Sequence, residues 1–268
     1  MAPEVITKHA SLTERENLTY LQSLGLTNVV PPFMIQDDYI FLETYDSIYG
    51  FFRLSNQFIN WVYQNTLYYM YQHRQDLFSP GFYKYLTTSG NALLQPQLGE
   101  SQITYQAYLI SVLNEVVVTI PEIDSFCMEV YQYCVTQLTL ADSWKPEGGY
   151  ALLHGYLKLS NIVYQKKPLL INMDYMRYGA PEIELSHFLN QLIGIIPNSE
   201  KKIMELYRNV FSNRTCFGDI DYDYVRTIGI PLFLFLHYAY AKKNFVEPSN
   251  MIFRVYPDLW KNYKLLFL

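Results

Sequence analysis

The chain has 268 residues, 50% of them hydrophobic, and carries a net charge of −5. That length and apolar content can bury a large core in one or two domains, and the acidic balance argues against nucleic acid as the main partner. Its longest apolar run, Ile228 to Ala241, is interrupted by Pro231 and His237 and is shorter than the ~20 residues a membrane span requires, so it reads as a buried helix and no membrane span is expected.

Met1-Ala2-Pro3-Glu4 has neither the basic start nor the apolar segment of a signal peptide. Val5-Ile6-Thr7-Lys8 reads as a strand. Thr13-Glu14-Arg15-Glu16 is a capping-box pattern with Thr13 as cap and Glu16 three positions on, opening a helix through Leu18, Leu21 and Leu24. Val29 to Gln36 and Tyr39 to Glu43 read as a hairpin closed by Asp37-Asp38. The chain contains 26 tyrosines and 16 phenylalanines, and Tyr63, Tyr68, Tyr69, Tyr71, Phe82, Tyr83 and Tyr85 concentrate between Phe51 and Gly99. A tyrosine buries a large ring and keeps a hydroxyl for water or a partner, so this region reads either as a contact surface or as an aromatic core with satisfied hydroxyls. Asn91 to Ser101, with Pro96 and Gly99, is the expected loop.

Two helical stripes follow, Tyr105, Tyr108, Leu109, Val112, Leu113 and Val116, then Ile123, Phe126, Cys127, Val130, Tyr131, Cys134, Val135 and Leu138. Cys127 and Cys134 lie about 10 Å apart along such a helix and cannot bond each other there. With Cys216 they make an odd count without metal-type spacing, which fits a reducing, cytoplasmic compartment.

His154-Gly155-Tyr156-Leu157-Lys158-Leu159-Ser160-Asn161 has the spacing of a phosphotransferase catalytic loop. Such loops carry a carboxylate at the third position to accept the substrate hydroxyl's proton and an amide five residues later to hold a metal ion on the nucleotide. Here the amide is Asn161, but the carboxylate is replaced by Tyr156. A phenol ordinarily titrates near pH ~10, so it does not accept a proton at neutral pH as an ionised aspartate does. Downstream come Leu169-Leu170-Ile171-Asn172-Met173-Asp174 and Tyr178-Gly179-Ala180-Pro181-Glu182-Ile183-Glu184-Leu185-Ser186. Leu185, Phe188, Leu189, Leu192, Ile193 and Ile196 form a third stripe, and Ile203, Leu206, Tyr207, Val210 and Phe211 a fourth.

In order and spacing these segments resemble the aminoglycoside phosphotransferase and choline kinase family, small-molecule kinases with the protein-kinase fold. That family reads His-Gly-Asp, four residues, Asn-Ile-Leu, then Ile-Asp-Trp, then Gly-Asp-Pro and an aspartate. The loop matches at His154, Gly155, Asn161 and Ile162. Tyr156 stands at the catalytic aspartate, Asn172 at the second metal-binding aspartate, and Gly179-Ala180-Pro181…Glu184 at the Gly-Asp-Pro…Asp segment. Asp174 is expected two residues along the same strand face as Asn172.

The resemblance implies an α+β, protein-kinase-like two-lobed fold, with a reduced N-terminal sheet lobe over residues 1–45 and a mostly helical C-terminal lobe over 46–268 holding the loop remnant 154–161. Lys8 would be the phosphate-binding lysine, Glu16 either its partner or only a capping residue, and Glu43-Thr44-Tyr45 the hinge. Too few residues precede Lys8 for the glycine-containing hairpin that covers the phosphates, and the first glycine is Gly25. With Tyr156, Asn172 and Ala180 all neutral, magnesium would lose most of the charge that holds it, so no cofactor is expected or, failing that, ATP with magnesium on the vestigial set Lys8, Glu16, Asn161, Asn172 and Asp174. The implied function is that of a catalytically degenerate kinase, a pseudokinase acting by binding a protein partner or small ligand. An active atypical phosphotransferase and a helical interaction protein remain alternatives. His9, His73, His154, His187 and His237 are isolated, and neither a Gly-x-Ser-x-Gly elbow nor a Walker-type loop is present.

Overall fold

The computed structural model describes residues 5–53, 55–79, 103–120, 122–195, 200–212, 219–244 and 251–268. Strand β1 (Val5–His9) and helix α1 (Leu12–Ser23) are followed by the hairpin β2 (Phe33–Gln36) and β3 (Tyr39–Glu43). These strands form an antiparallel sheet in the order β1-β3-β2. The two-residue turn Asp37-Asp38 places Asp37 at φ 52°, a left-handed conformation that Asp tolerates better than most residues. The first strand of the hairpin is shorter than the sequence predicts. Thr27–Val29 forms a 3₁₀ turn instead, and Pro31-Pro32 withholds the backbone donors a longer ladder would need.

The cap of α1 is also corrected. Ser11, not Thr13, takes the extended cap conformation, and its hydroxyl accepts from Glu14 N at 3.0 Å. Two equivalent capping boxes overlap in Ser11-Leu12-Thr13-Glu14-Arg15-Glu16, and the chosen one turns Leu18 and Leu21 into the core and leaves Glu16 exposed.

The larger lobe is mostly helical. Short strand β4 (Asp46–Ser47) leads to α2 (Asn56–Asn65), α3 (Leu67–Tyr71) and β5 (Arg74–Gln75), then α4 (Tyr105–Val117) and α5 (Ser125–Leu140). Strands β6 (Tyr150–Leu153), β7 (Ile162–Gln165), β8 (Lys167–Leu170) and β9 (Arg177–Gly179) form two small sheets, β4-β7-β8 and β5-β6-β9. The remaining helices are α6 (Pro181–Gln191), α7 (Glu200–Ser212), the single turn α8 (Tyr222–Tyr224), α9 (Ile230–Asn244) and α10 (Met251–Phe267). The run from Ile228 lies in and just before α9, whose residues Ile230 to Ala239 are all buried. Among the described residues no helix is long and apolar enough to cross a membrane.

The third stripe ends as an α-helix at Gln191 and continues as a 3₁₀ turn, Leu192–Ile195; Ile196 lies outside the described residues. Within the tyrosine-rich stretch Tyr63 and Tyr71 are core, whereas Tyr68 and Tyr69 are exposed. Phe82, Tyr83 and Tyr85, the Asn91 to Ser101 loop and Cys216 lie outside the described residues.

Candidate functional site

The loop after β6 is held from three sides. Gly155 takes φ +78°, and a Cβ there would stand 1.8 Å from the carbonyl oxygen of Tyr175, so only glycine lets the backbones meet. The Glu184 carboxylate, on α6, accepts from Gly155 N at 2.6 Å, His154 N at 3.3 Å and Tyr71 Oη at 3.1 Å. Burial pushes the Glu184 carboxyl up to about 7 against the lowering effect of these bonds. His154 accepts from Tyr156 N at its Nδ1 (3.2 Å) and donates from Nε2 to the carbonyl of Ile171 (2.9 Å). Burial lowers its imidazole to about 4, so the ring is a neutral brace between the loop and the segment after β8.

Asn172 takes the left-handed conformation, φ 60°, and Met173–Tyr175 is a 3₁₀ turn. The expectation that Asp174 continues a strand two residues beyond Asn172 is therefore wrong. The turn swings Asp174 to the other lobe, where its carboxylate accepts from the hydroxyl of Ser11.

Four of the sequence-predicted positions meet. Lys8 Nζ donates to Asn172 Oδ1 at 2.6 Å, Asn172 Nδ2 to Asn161 Oδ1 at 2.8 Å, and Asn161 Nδ2 to the Tyr156 carbonyl at 2.9 Å. Glu16 is absent from this row. The carboxylate that pairs with Lys8 is Glu14, at 2.9 Å (Oε1) and 2.8 Å (Oε2). The reason is helical phase: with Ser11 as cap, Glu14 falls on the buried side of α1 and Glu16, two residues on, points to solvent. The overlapping Ser11-x-x-Glu14 box was the only signal that could have found it.

The Tyr156 ring lies 5.1 Å from Tyr175 and 6.1 Å from His187, centroid to centroid. Lys158, a residue the motif reading passed over, sits with Nζ 4.1 Å from the centre of that ring and 3.0 Å from its Oη. The cavity between the lobes, reached past Lys8, Leu42, Tyr45 and Asn172, measures about 20 Å³, room for about one water.

Direct bonds tie the lobes together. Asn17 Nδ2 donates to the Met173 carbonyl at 2.6 Å, the hydroxyls of Tyr20 and Tyr178 are 2.9 Å apart, and Gln165 Nε2 donates to Glu43 Oε2 and the Thr44 carbonyl, both at 3.2 Å.

Among solved structures, the chain resembles an aminoglycoside phosphotransferase from Alicyclobacillus acidocaldarius (TM-score 0.58, 13% identity, 99% of this chain and 85% of that one). The choline kinase LicA from Streptococcus pneumoniae gives a TM-score of 0.52 at 13% identity over 99% and 88% of the two chains. The chain has a kinase-like fold. An ethanolamine kinase from Plasmodium vivax matches at TM-score 0.50 and 11% identity, over 98% of this chain and 75% of that one. At such identities the likeness shows the α+β two-lobed fold alone. No protein-family model matches the sequence, and no curated protein matches it.

The fold makes the residues present a test of the metal these kinases use. Asn161 and Asn172 offer neutral oxygens already engaged with each other and with an ammonium, and Asp174 is turned to Ser11. A hard divalent cation seeks carboxylate oxygen, and this donor set does not fit it.

Proposed function

We propose that this chain is a catalytically degenerate kinase-like protein, a pseudokinase that acts by binding a partner or ligand. The observation that carries the reading is the 2.6 Å contact between the Lys8 ammonium and Asn172 Oδ1: a cation of the protein's own occupies the oxygen that would face a metal ion. It is reinforced by Tyr156 at the base position, because a phenol buttressed by Lys158 offers no carboxylate to a substrate hydroxyl. General-base and metal terms each lower a phosphoryl-transfer barrier by several kcal/mol, on the order of 10²-fold or more in rate apiece. Purified protein is therefore expected to show no ATP consumption above background with magnesium, toward aminoglycosides, choline or other hydroxyl-bearing metabolites.

The alternative, an active atypical phosphotransferase, draws on the intact Lys8–Glu14 pair and on Asn161. Magnesium-dependent ATP consumption that disappears in Asn161→Ala would establish that alternative and remove the degenerate reading. For a protein partner, the exposed pair Tyr68 and Tyr69, edge to face at 5.5 Å, offers rigid contact anchors among the described residues of the tyrosine-rich region.

A further inference from the structure

The hydroxyl of Ser11 serves two elements at once. It caps α1 by accepting from Glu14 N at 3.0 Å, and it donates to the carboxylate of Asp174 in the other lobe. Ser11 is exposed and Asp174 half-buried. Along α1 the same seam between the lobes continues with Asn17, which donates to the Met173 carbonyl at 2.6 Å, and with Tyr20, whose hydroxyl lies 2.9 Å from that of Tyr178. The Asn17 and Tyr20 contacts join neutral groups, whereas Ser11 bonds a carboxylate, and hydrogen bonds to charged groups are roughly twice as strong as neutral ones. A change of charge at Ser11 therefore acts more strongly on the seam than one at either neutral contact.

A negative group on Ser11 would meet opposite responses from its two partners. The first turn of α1 offers backbone N–H groups without helical acceptors and the positive end of the helix dipole, both of which favour an anion at the cap. Asp174 repels an anion, and an esterified oxygen has no proton left to donate to it. Lys8, which could offset the added charge, is already engaged by Glu14 and Asn172.

We infer that Ser11 is a charge-operated latch between the lobes: phosphorylation of its hydroxyl releases Asp174 and loosens α1 from the segment 172–178 while leaving α1 folded. The phosphoryl group comes from ATP through a separate protein-serine kinase. A bond forms between Ser11 Oγ and the γ-phosphorus, the bond to ADP breaks, and the hydroxyl proton passes to the base of the modifying enzyme. The seam borders the cleft, which Lys8, Asn172 and Met173 line, so its loosening widens access there. The latch acts on the lobes themselves and holds whether or not the cleft is catalytically degenerate.

The test is hydrogen exchange of the full chain, read by mass spectrometry, with phosphoserine installed at Ser11 during synthesis and with point variants. Phosphoserine and Ser11→Asp are expected to speed exchange across 172–178 on the order of tenfold or more, the ratio that a hydrogen bond to a charged group carries. Exchange within α1 should stay slow, because Asp caps a helix as well as Ser does. Ser11→Asn, a neutral cap whose amide can still donate to Asp174, should match wild type. Asp174→Asn in the Ser11→Asp background returns a donor to the pair and should restore slow exchange. Unchanged exchange with phosphoserine, equal loosening in Ser11→Asn, no rescue by Asp174→Asn, or loss of protection throughout α1 would each overturn the inference.

Discussion

At the scale of single residues, the loop's shape depends on atoms that have no chemical role. Gly155 is the sharpest case: any side chain there would need both a positive φ and the space now held by the Tyr175 carbonyl. Gly155→Ala is expected to cost about 3 kcal/mol or more, because the loop backbone cannot move away without breaking the bonds to Glu184. Chemical denaturation would read this directly, and a loss below about 1 kcal/mol would show that the loop yields more easily than its contacts imply. His154 illustrates the opposite relation between sequence and role. Its position in the motif was legible, but its neutral state follows from complete burial, which only the packed structure supplies.

At the scale of elements, α6 carries two buried acids within one turn. Glu182 Oε1 accepts from Asp221 N at 3.0 Å, Glu182 Oε2 has no hydrogen-bond partner among the described residues, and burial raises the carboxyl to about 7 from an ordinary 4.5. An acid raised on folding stabilises the native state fully below its unfolded pKa and loses that contribution as pH rises through the folded one. The Glu182 contribution should therefore fall between pH 4.5 and about 7. Buried His154 and His237, lowered to about 4 and about 3, act in the reverse sense, destabilising the fold as pH drops below 6.5. The wild-type profile mixes both, so the clean observable is its difference from Glu182→Gln. That difference should change between pH 4.5 and about 7, by up to about 3 kcal/mol. Parallel profiles would mean Glu182 is not raised.

The tyrosines of α2 and α3 separate in the same way. Tyr71→Ala, which empties a fully buried site and strips a donor from Glu184, is expected to cost about 3–5 kcal/mol. Tyr68→Ala with Tyr69→Ala should leave Tm nearly unchanged, and loss of a co-purifying partner from that double variant would identify the surface. A large drop in Tm for the exposed pair would instead assign those rings to the core. Helical phase explains why sequence could not sort them. Five residues of α3 read Leu-Tyr-Tyr-Met-Tyr, and no polar residue marks which side faces out.

At the scale of the molecule, the lobes meet through side chains of β1 and α1 and the segment 172–178. The sequence by itself determined the kinase-like α+β fold, because the intervals between backbone turns at Gly155, Asn161 and Gly179-Ala180-Pro181 are fixed by chain length and can be read without knowing how the side chains pack. It also determined that Tyr156, Asn172 and Ala180 stand where the pattern the sequence resembles has acidic groups. Tertiary structure alone decided which glutamate faces Lys8, since two capping boxes overlap and burial of Leu18 and Leu21 selects the phase. It alone turned Asp174 from a strand onto Ser11, through one left-handed residue that local propensity does not encode. And it alone placed the Lys158 ammonium over the ring of Tyr156, a matter of how the loop backbone turns, on which the linear spacing of a motif is silent.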